Sequence, residues 1–180
     1  MRMVSIASGS SGNCIYIGSD KTHILVDAGI SNKRIQQGLN DIGLKGGDVD
    51  GILITHEHSD HIKGLGVLAR KYQVPIYATR ETLDEIRSKS SLGDYDRELL
   101  HPVCPDVDFV VGDLTVKPFS IDHDAANPVA YRVQCGPWRW RRIWDITTSI
   151  SSTICGIWTL CCWNPTTTCG CWRAAPIPII

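Results

Sequence analysis

The chain has 180 residues, and its 18 lysines and arginines nearly balance 19 aspartates and glutamates, for a formal charge of −1. That length suffices for one domain with a real core, and the charge balance gives no whole-chain case for nucleic-acid binding. No stretch approaches the roughly 18 apolar residues of a membrane span, and the first residues lack the apolar run of a signal peptide; no membrane contact is expected, and the cytosol is the expected compartment.

Residues 4–7 and 14–18 are short β-rich runs joined by Ser8-Gly9-Ser10-Ser11-Gly12-Asn13, a strong turn signal. Residues 23–27 form another strand, closed by Ala28-Gly29. Ser31 is placed to cap a helix with the apolar stripe Ile35, Leu39 and Ile42 and with Gly43 as its stop. Residues 51–54 form a buried-type strand, and Ile62, Leu65 and Leu68 then keep a helical period. A strand over 74–78 leads to Thr79, a cap for a helix with Leu83 and Ile86 facing inward. Residues 107–111 and 114–119 make a hairpin around Gly112-Asp113, and 128–133 is the last clear strand. Strands alternating with helices, with hairpins among them, predict a layered α/β domain.

The strand at 51–54 runs straight into Thr55-His56-Glu57-His58-Ser59-Asp60-His61. Three imidazoles and two carboxylates this close together are far more than packing requires, and neutral imidazole is the commonest metal ligand near pH 7. His56 and His58, two apart on extended chain, point the same way. Asp60 and His61 follow as the chain turns into a helix and face a neighbouring position, so one loop can feed two adjacent cations. His23, inside a β run, and His101, before a proline, have no such context and read as structural.

His-x-His-x-Asp-His after an apolar strand resembles the signature of the metallo-β-lactamase superfamily. The resemblance implies an αββα sandwich, of which this chain would hold the N-terminal half. It implies two divalent metal ions, zinc or alternatively manganese: His56 and His58 on the first, Asp60 and His61 on the second. His123, in Ser120-Ile121-Asp122-His123-Asp124, sits where the family takes its third histidine. Asp60 would also orient the attacking water, and Asp27 resembles the strand-end aspartate that supports the metal loop from behind. Ser5 to Cys14 and His123-Asp124-Ala125-Ala126-Asn127-Pro128 resemble the YycJ-type branch, which implies phosphodiester hydrolysis with a nucleic acid as substrate. The match covers residues 3–136. The alternative is a truncated, inactive metal-binding fragment of such an enzyme.

Composition breaks near Gly136. All six tryptophans and five of the eight cysteines lie beyond it, with no lysine, glutamate or histidine. Domain 1–136 is therefore set apart from an aberrant tail, 137–180. Joining the third base of each codon to the first two of the next forces Gly from Trp144-Asp145, Leu-Glu from Cys162-Trp163-Asn164 and Leu from Cys171-Trp172. The same frame permits a strand ending in Thr-Asp and a Glu-Ser-Asn-His-Asp segment, both similar to the YycJ-type continuation. A frameshift near residues 135–138, natural or from sequencing, accounts for the tail. The rival is a cysteine-rich module, but Cys161-Cys162 and Cys169-Gly170-Cys171 lack the Cys-x2–4-Cys spacing of structural zinc sites.

Overall fold

The structure, a computed structural model, describes residues 1–135 in full and, beyond them, the backbone of three strands, Arg142–Ile146, Thr159–Cys161 and Trp172–Arg173. Side-chain alternation in the early strands decides the layering. Strands β1 (Arg2–Ala7), β2 (Cys14–Gly18) and β3 (His23–Val26) pair antiparallel, and β4 (Gly51–Leu53), β5 (Ile76–Thr79) and β6 (Leu100–Val103) add in parallel, in the order β1-β2-β3-β4-β5-β6. Cys14, Tyr16 and Leu25 point to one face, where they pack with Ile35, Leu39, Leu68, Leu83 and Ile86 from the helices. Ile15, Ile17, Ile24 and Val26 point to the other, against Val111, Leu114, Val116, Tyr131 and Val133. Both faces of β2 and β3 are buried, which is why these strands read as unbroken apolar runs. Each fully buried Leu or Ile side chain contributes about 1.5–3 kcal/mol.

The second sheet is antiparallel: β7 (Phe109–Val111), β8 (Leu114–Ser120), β9 (Val129–Cys135) and the three later strands, β10 to β12. The β7–β8 hairpin turns through Gly112-Asp113 as expected, with Gly112 at φ 56° in the left-handed region. Helices α1 (Asn32–Asp41), α3 (Leu65–Tyr72) and α4 (Arg80–Ser88) lie on the outer face of the first sheet. The layer order among the described residues is thus helix, sheet, sheet, the αββ part of the expected sandwich. No helix among them is long and apolar enough to cross a membrane.

Three local readings change. The single helical period through Ile62, Leu65 and Leu68 divides into α2 (Ser59–Ile62) and α3. The break is at Gly64, whose N–H donates to the Ala28 carbonyl at 2.7 Å and whose missing Cβ would overlap the Ile30 carbonyl. Thr79 begins α4 but makes no capping hydrogen bond; its hydroxyl donates instead to the Asn127 carbonyl at 2.8 Å. Strand β6 was not expected, because Pro102 argues against a strand interior; it is tolerated here because β6 is an edge. As for the tail, most of 137–180 and the Asp145 side chain lie outside the described residues.

Candidate metal centre

Strand β4 ends one residue before Ile54, and the chain there is held from both sides. The Tyr131 hydroxyl, buried in β9, donates to the Ile54 carbonyl at 2.8 Å, and the Val129 N–H donates to the Thr55 carbonyl at 3.0 Å. The following loop is strapped by the turns after β1 and β3. Asn13 N–H donates to the Asp60 carbonyl at 2.8 Å, and Ala28 N–H to the His61 carbonyl at 2.7 Å. Gly29 packs so closely on the Asp60 carbonyl that any Cβ would overlap it. The histidine loop is therefore set on rigid backbone rather than left to solvent.

From this base His56, His58 and His123 converge. One ring nitrogen from each lies within 4.8 Å of the others, with His56 buried and the other two half-buried. Each ring has a partner that fixes its tautomer. His58 Nε2 lies 3.2 Å from the Asp124 carbonyl, which can only accept, so Nε2 carries the proton and Nδ1 is free. His123 Nδ1 donates to the Asp124 carboxylate at 2.9 Å, freeing Nε2. His56 Nδ1 lies 3.0 Å from the Thr55 hydroxyl, whose own proton goes to Asp27; the hydroxyl must accept from His56, freeing Nε2 there too. Burial pushes the His56 imidazole down to about 2, and the neighbouring His61, His123 and His58 rings add to the push. This ring is neutral at physiological pH and its lone pair is available.

Asp60 and His61 lie beside the triad, with the His61 ring centroid 3.9 Å from that of His56 and His61 Nε2 3.4 Å from Asp60 Oδ2. His61 Nδ1 donates to Asp27 Oδ2 at 2.8 Å. Burial pulls the His61 pKa down, but the charge and hydrogen bond of Asp27, with the charge of Asp60, outweigh it and leave the pKa raised. Asp27 is fully buried, sits at φ 60°, and also accepts from the Thr55 N–H at 2.9 Å. One carboxylate thus stands behind both sides of the loop.

The bracing role of Thr55 escaped the sequence reading, and so did two further residues. Asn13 places its amide nitrogen 3.1 Å from His61 Nε2 and 3.4 Å from Asp60 Oδ2, with its oxygen held by the Gly9 N–H at 3.0 Å. Glu57, between the two paired histidines, is buried and points away from them. Their sequence signal was weak, because a turn asparagine and a loop glutamate are both common. His23 and His101 stay outside the site: His23 Nδ1 meets the Tyr16 hydroxyl at 2.8 Å, and His101 stacks on Tyr77.

Three imidazoles with fixed tautomers on rigid supports are a donor set suited to a borderline divalent cation. A fold and site of this kind define a class, and the wider comparisons agree. A family model described as "Metallo-beta-lactamase superfamily" matches residues 7–133, and the chain belongs to that superfamily. It is 45% identical over 126 residues to the exodeoxyribonuclease YycJ of Bacillus anthracis, covering 70% of this chain and 47% of that protein. It is likewise 45% identical over 127 residues to the exodeoxyribonuclease WalJ of Streptococcus pneumoniae, covering 71% and 47%. The chain therefore spans about half the length of the curated relatives it matches. Among solved structures it is similar to MEM-A1, a subclass B3 metallo-β-lactamase from a soil metagenome library, with a TM-score of 0.65, 19% identity, and coverage of 84% of this chain and 63% of that one. That likeness shows the fold alone.

Proposed function

We propose that this chain carries the first metal-binding half of a cytosolic, metal-dependent phosphodiesterase that acts on DNA in the manner of an exodeoxyribonuclease. The observation that carries the reading is the convergence of His56, His58 and His123, each with its free nitrogen set by a partner, in a chain 45% identical to exodeoxyribonucleases. In this reading His56, His58 and His123 hold one divalent ion, and Asp60 and His61 contribute to a second. Zinc fits the imidazole-rich first position, and manganese is the alternative where a carboxylate shares the load. Bound there, such ions supply Lewis acidity, acidifying water towards neutral pH and withdrawing charge from a phosphoryl oxygen. The chain's own residues do the rest. Thr55 and Asp124 engage one nitrogen of each triad ring and leave the other free, Asp27 aims His61 through its Nδ1, and Asp60, a partly exposed carboxylate, is the group to orient an attacking water.

Residues 1–136 form the working part in this proposal, and 137–180 are an out-of-frame continuation. Sequencing the DNA across codons 130–140, with an intact mass of the purified protein, tests that division; an in-frame reading with the same tail in the mass would exclude a sequencing error. For function, the zinc- or manganese-loaded chain is assayed on bis-p-nitrophenyl phosphate and on a 5′-labelled DNA strand. Turnover that falls to background in His58→Ala supports the reading. Metal bound at the triad without turnover favours the second reading, a truncated fragment that binds metal and does not hydrolyse. That reading draws on the chain's spanning only 47% of its relatives.

A further inference from the structure

His123 does not sit on a strand or helix. It belongs to the connection from Ser120, the end of β8, to Val129, the start of β9, and something must hold that connection against the histidine loop. Thr79 Oγ1 and Glu81 Oε2 reach Asn127, at 2.8 and 2.9 Å, from the start of α4. From the histidine loop itself two side chains reach across: His58 Nε2 donates to the Asp124 carbonyl at 3.2 Å, and the buried Glu57 Oε1 accepts the Ala126 N–H at 2.9 Å. Glu57 is 8% exposed, and its second oxygen, Oε2, is buried without a partner among the described residues.

The geometry points to Glu57 as a positioning residue for the third ligand. It stands between His56 and His58 on extended chain, so alternation turns its side chain away from theirs. The tripeptide His56-Glu57-His58 thereby supplies two ligands with its outer residues and fixes the loop of the third with its middle one. Burying a carboxylate here has a cost that a surface loop contact would not repay, whereas a charge-assisted bond to a backbone N–H is among the stronger hydrogen bonds available. Ala126 lies three residues from His123, so movement of that N–H moves the imidazole. Losing a partner that orients a metal ligand typically costs about 10–100-fold in metal affinity.

This inference rests on the metal-binding reading of His56, His58 and His123, and the test separates the two. The full 180-residue chain is titrated with Co²⁺, and the affinity and the visible d–d absorption are read together, with circular dichroism as the check on folding. Glu57→Ala is expected to weaken Co²⁺ binding by about 10–100-fold and to shift the d–d band. Glu57→Gln, which keeps an oxygen acceptor for the Ala126 N–H, is expected to restore affinity to within about threefold. Ala126→Pro removes the donor from the other side and leaves Glu57 intact; it should reproduce the Glu57→Ala loss, and the double variant should be no worse than either single one. Wild-type affinity and spectrum in both Glu57→Ala and Ala126→Pro would overturn the assignment, as would a Glu57→Gln no better than Glu57→Ala. Unchanged Co²⁺ binding in His56→Ala and His123→Ala would instead overturn the metal-site reading beneath it.

Discussion

The two sides of the histidine loop leave the same short stretch of chain and meet different surroundings. His56 and His58 are met by a third imidazole carried from the second sheet, and each of those three rings has one nitrogen engaged and one free. Asp60 and His61 are met by the Asn13 amide, whose N–H faces the very atoms a cation would use. A His61 Nε2 lone pair can accept a hydrogen or bind an ion, but not both. A compact sequence motif therefore does not imply two equally prepared sites: preparation depends on what distant segments bring to each side.

The largest way to disturb this comparison is to remove what the two sides share. Asp27→Ala leaves the Thr55 N–H, the Thr55 hydroxyl and the His61 Nδ1–H without their buried acceptor. Losing a buried acceptor costs about 1–3 kcal/mol per bond, so a loss of about 3 kcal/mol or more in urea unfolding is expected, with metal affinity reduced on both sides. A loss confined to one side would mean Asp27 serves that side only. Asp27→Asn should be milder, since asparagine tolerates the left-handed backbone at this position.

A smaller effect separates the sides by pH in the metal-free protein. His56 has a folded pKa far below its unfolded 6.5, so below pH 6.5 the unfolded chain takes up a proton that the folded one refuses. Its contribution makes stability fall steadily as pH drops below about 6.5 towards the folded value of about 2. His61 has a raised folded pKa, so its contribution is complete below pH 6.5 and is lost as pH rises through the raised value. Urea midpoints across about pH 5.5–8 should show the acid-side slope flattened by His56→Gln and the alkaline-side slope flattened by His61→Gln. Identical profiles for the two variants would remove the distinction.

The smallest expected effect sharpens the comparison most. Asn13→Ala removes the N–H that competes for His61 Nε2, and one net hydrogen bond is worth about 0.5–1.5 kcal/mol. Calorimetric titration with Mn²⁺ should show the second equivalent tightened by about 3- to 10-fold and the first unchanged. A weaker second equivalent would show that Asn13 organises Asp60 and His61 instead of opposing an ion there.

The sequence made the layered α/β class legible through apolar β runs alternating with helical periods, but the facing of each buried strand, Ile15, Ile17, Ile24 and Val26 one way and Tyr16 and Leu25 the other, carries no period-two signal in an unbroken apolar run. It also marked the histidine loop, because so dense a cluster of imidazoles after a strand serves packing poorly and metal binding well, whereas His123 was marked only by its place in the family pattern. Asn13, Thr55 and Glu57 were illegible for a common reason. Their roles rest on contacts between segments 28 to 69 positions apart, such as Thr55 with Asp27 and Glu57 with Ala126, and no local pattern reports such a pair. Strand β6 was hidden by Pro102, and the diversion of the Thr79 hydroxyl to Asn127 was hidden because its position also suits a cap.

His56 and His58 hang from the first sheet, whereas His123 hangs from the connection between two strands of the second. An ion gripped by both would act as a reversible cross-link between the sheets, closing the chain from residue 58 to residue 123. By the entropy of the unfolded chain alone, a closure of that length is worth about 4 kcal/mol. A chelator would then remove that cross-link and lower the melting temperature of the whole sandwich, while the apolar core between the sheets stays in place.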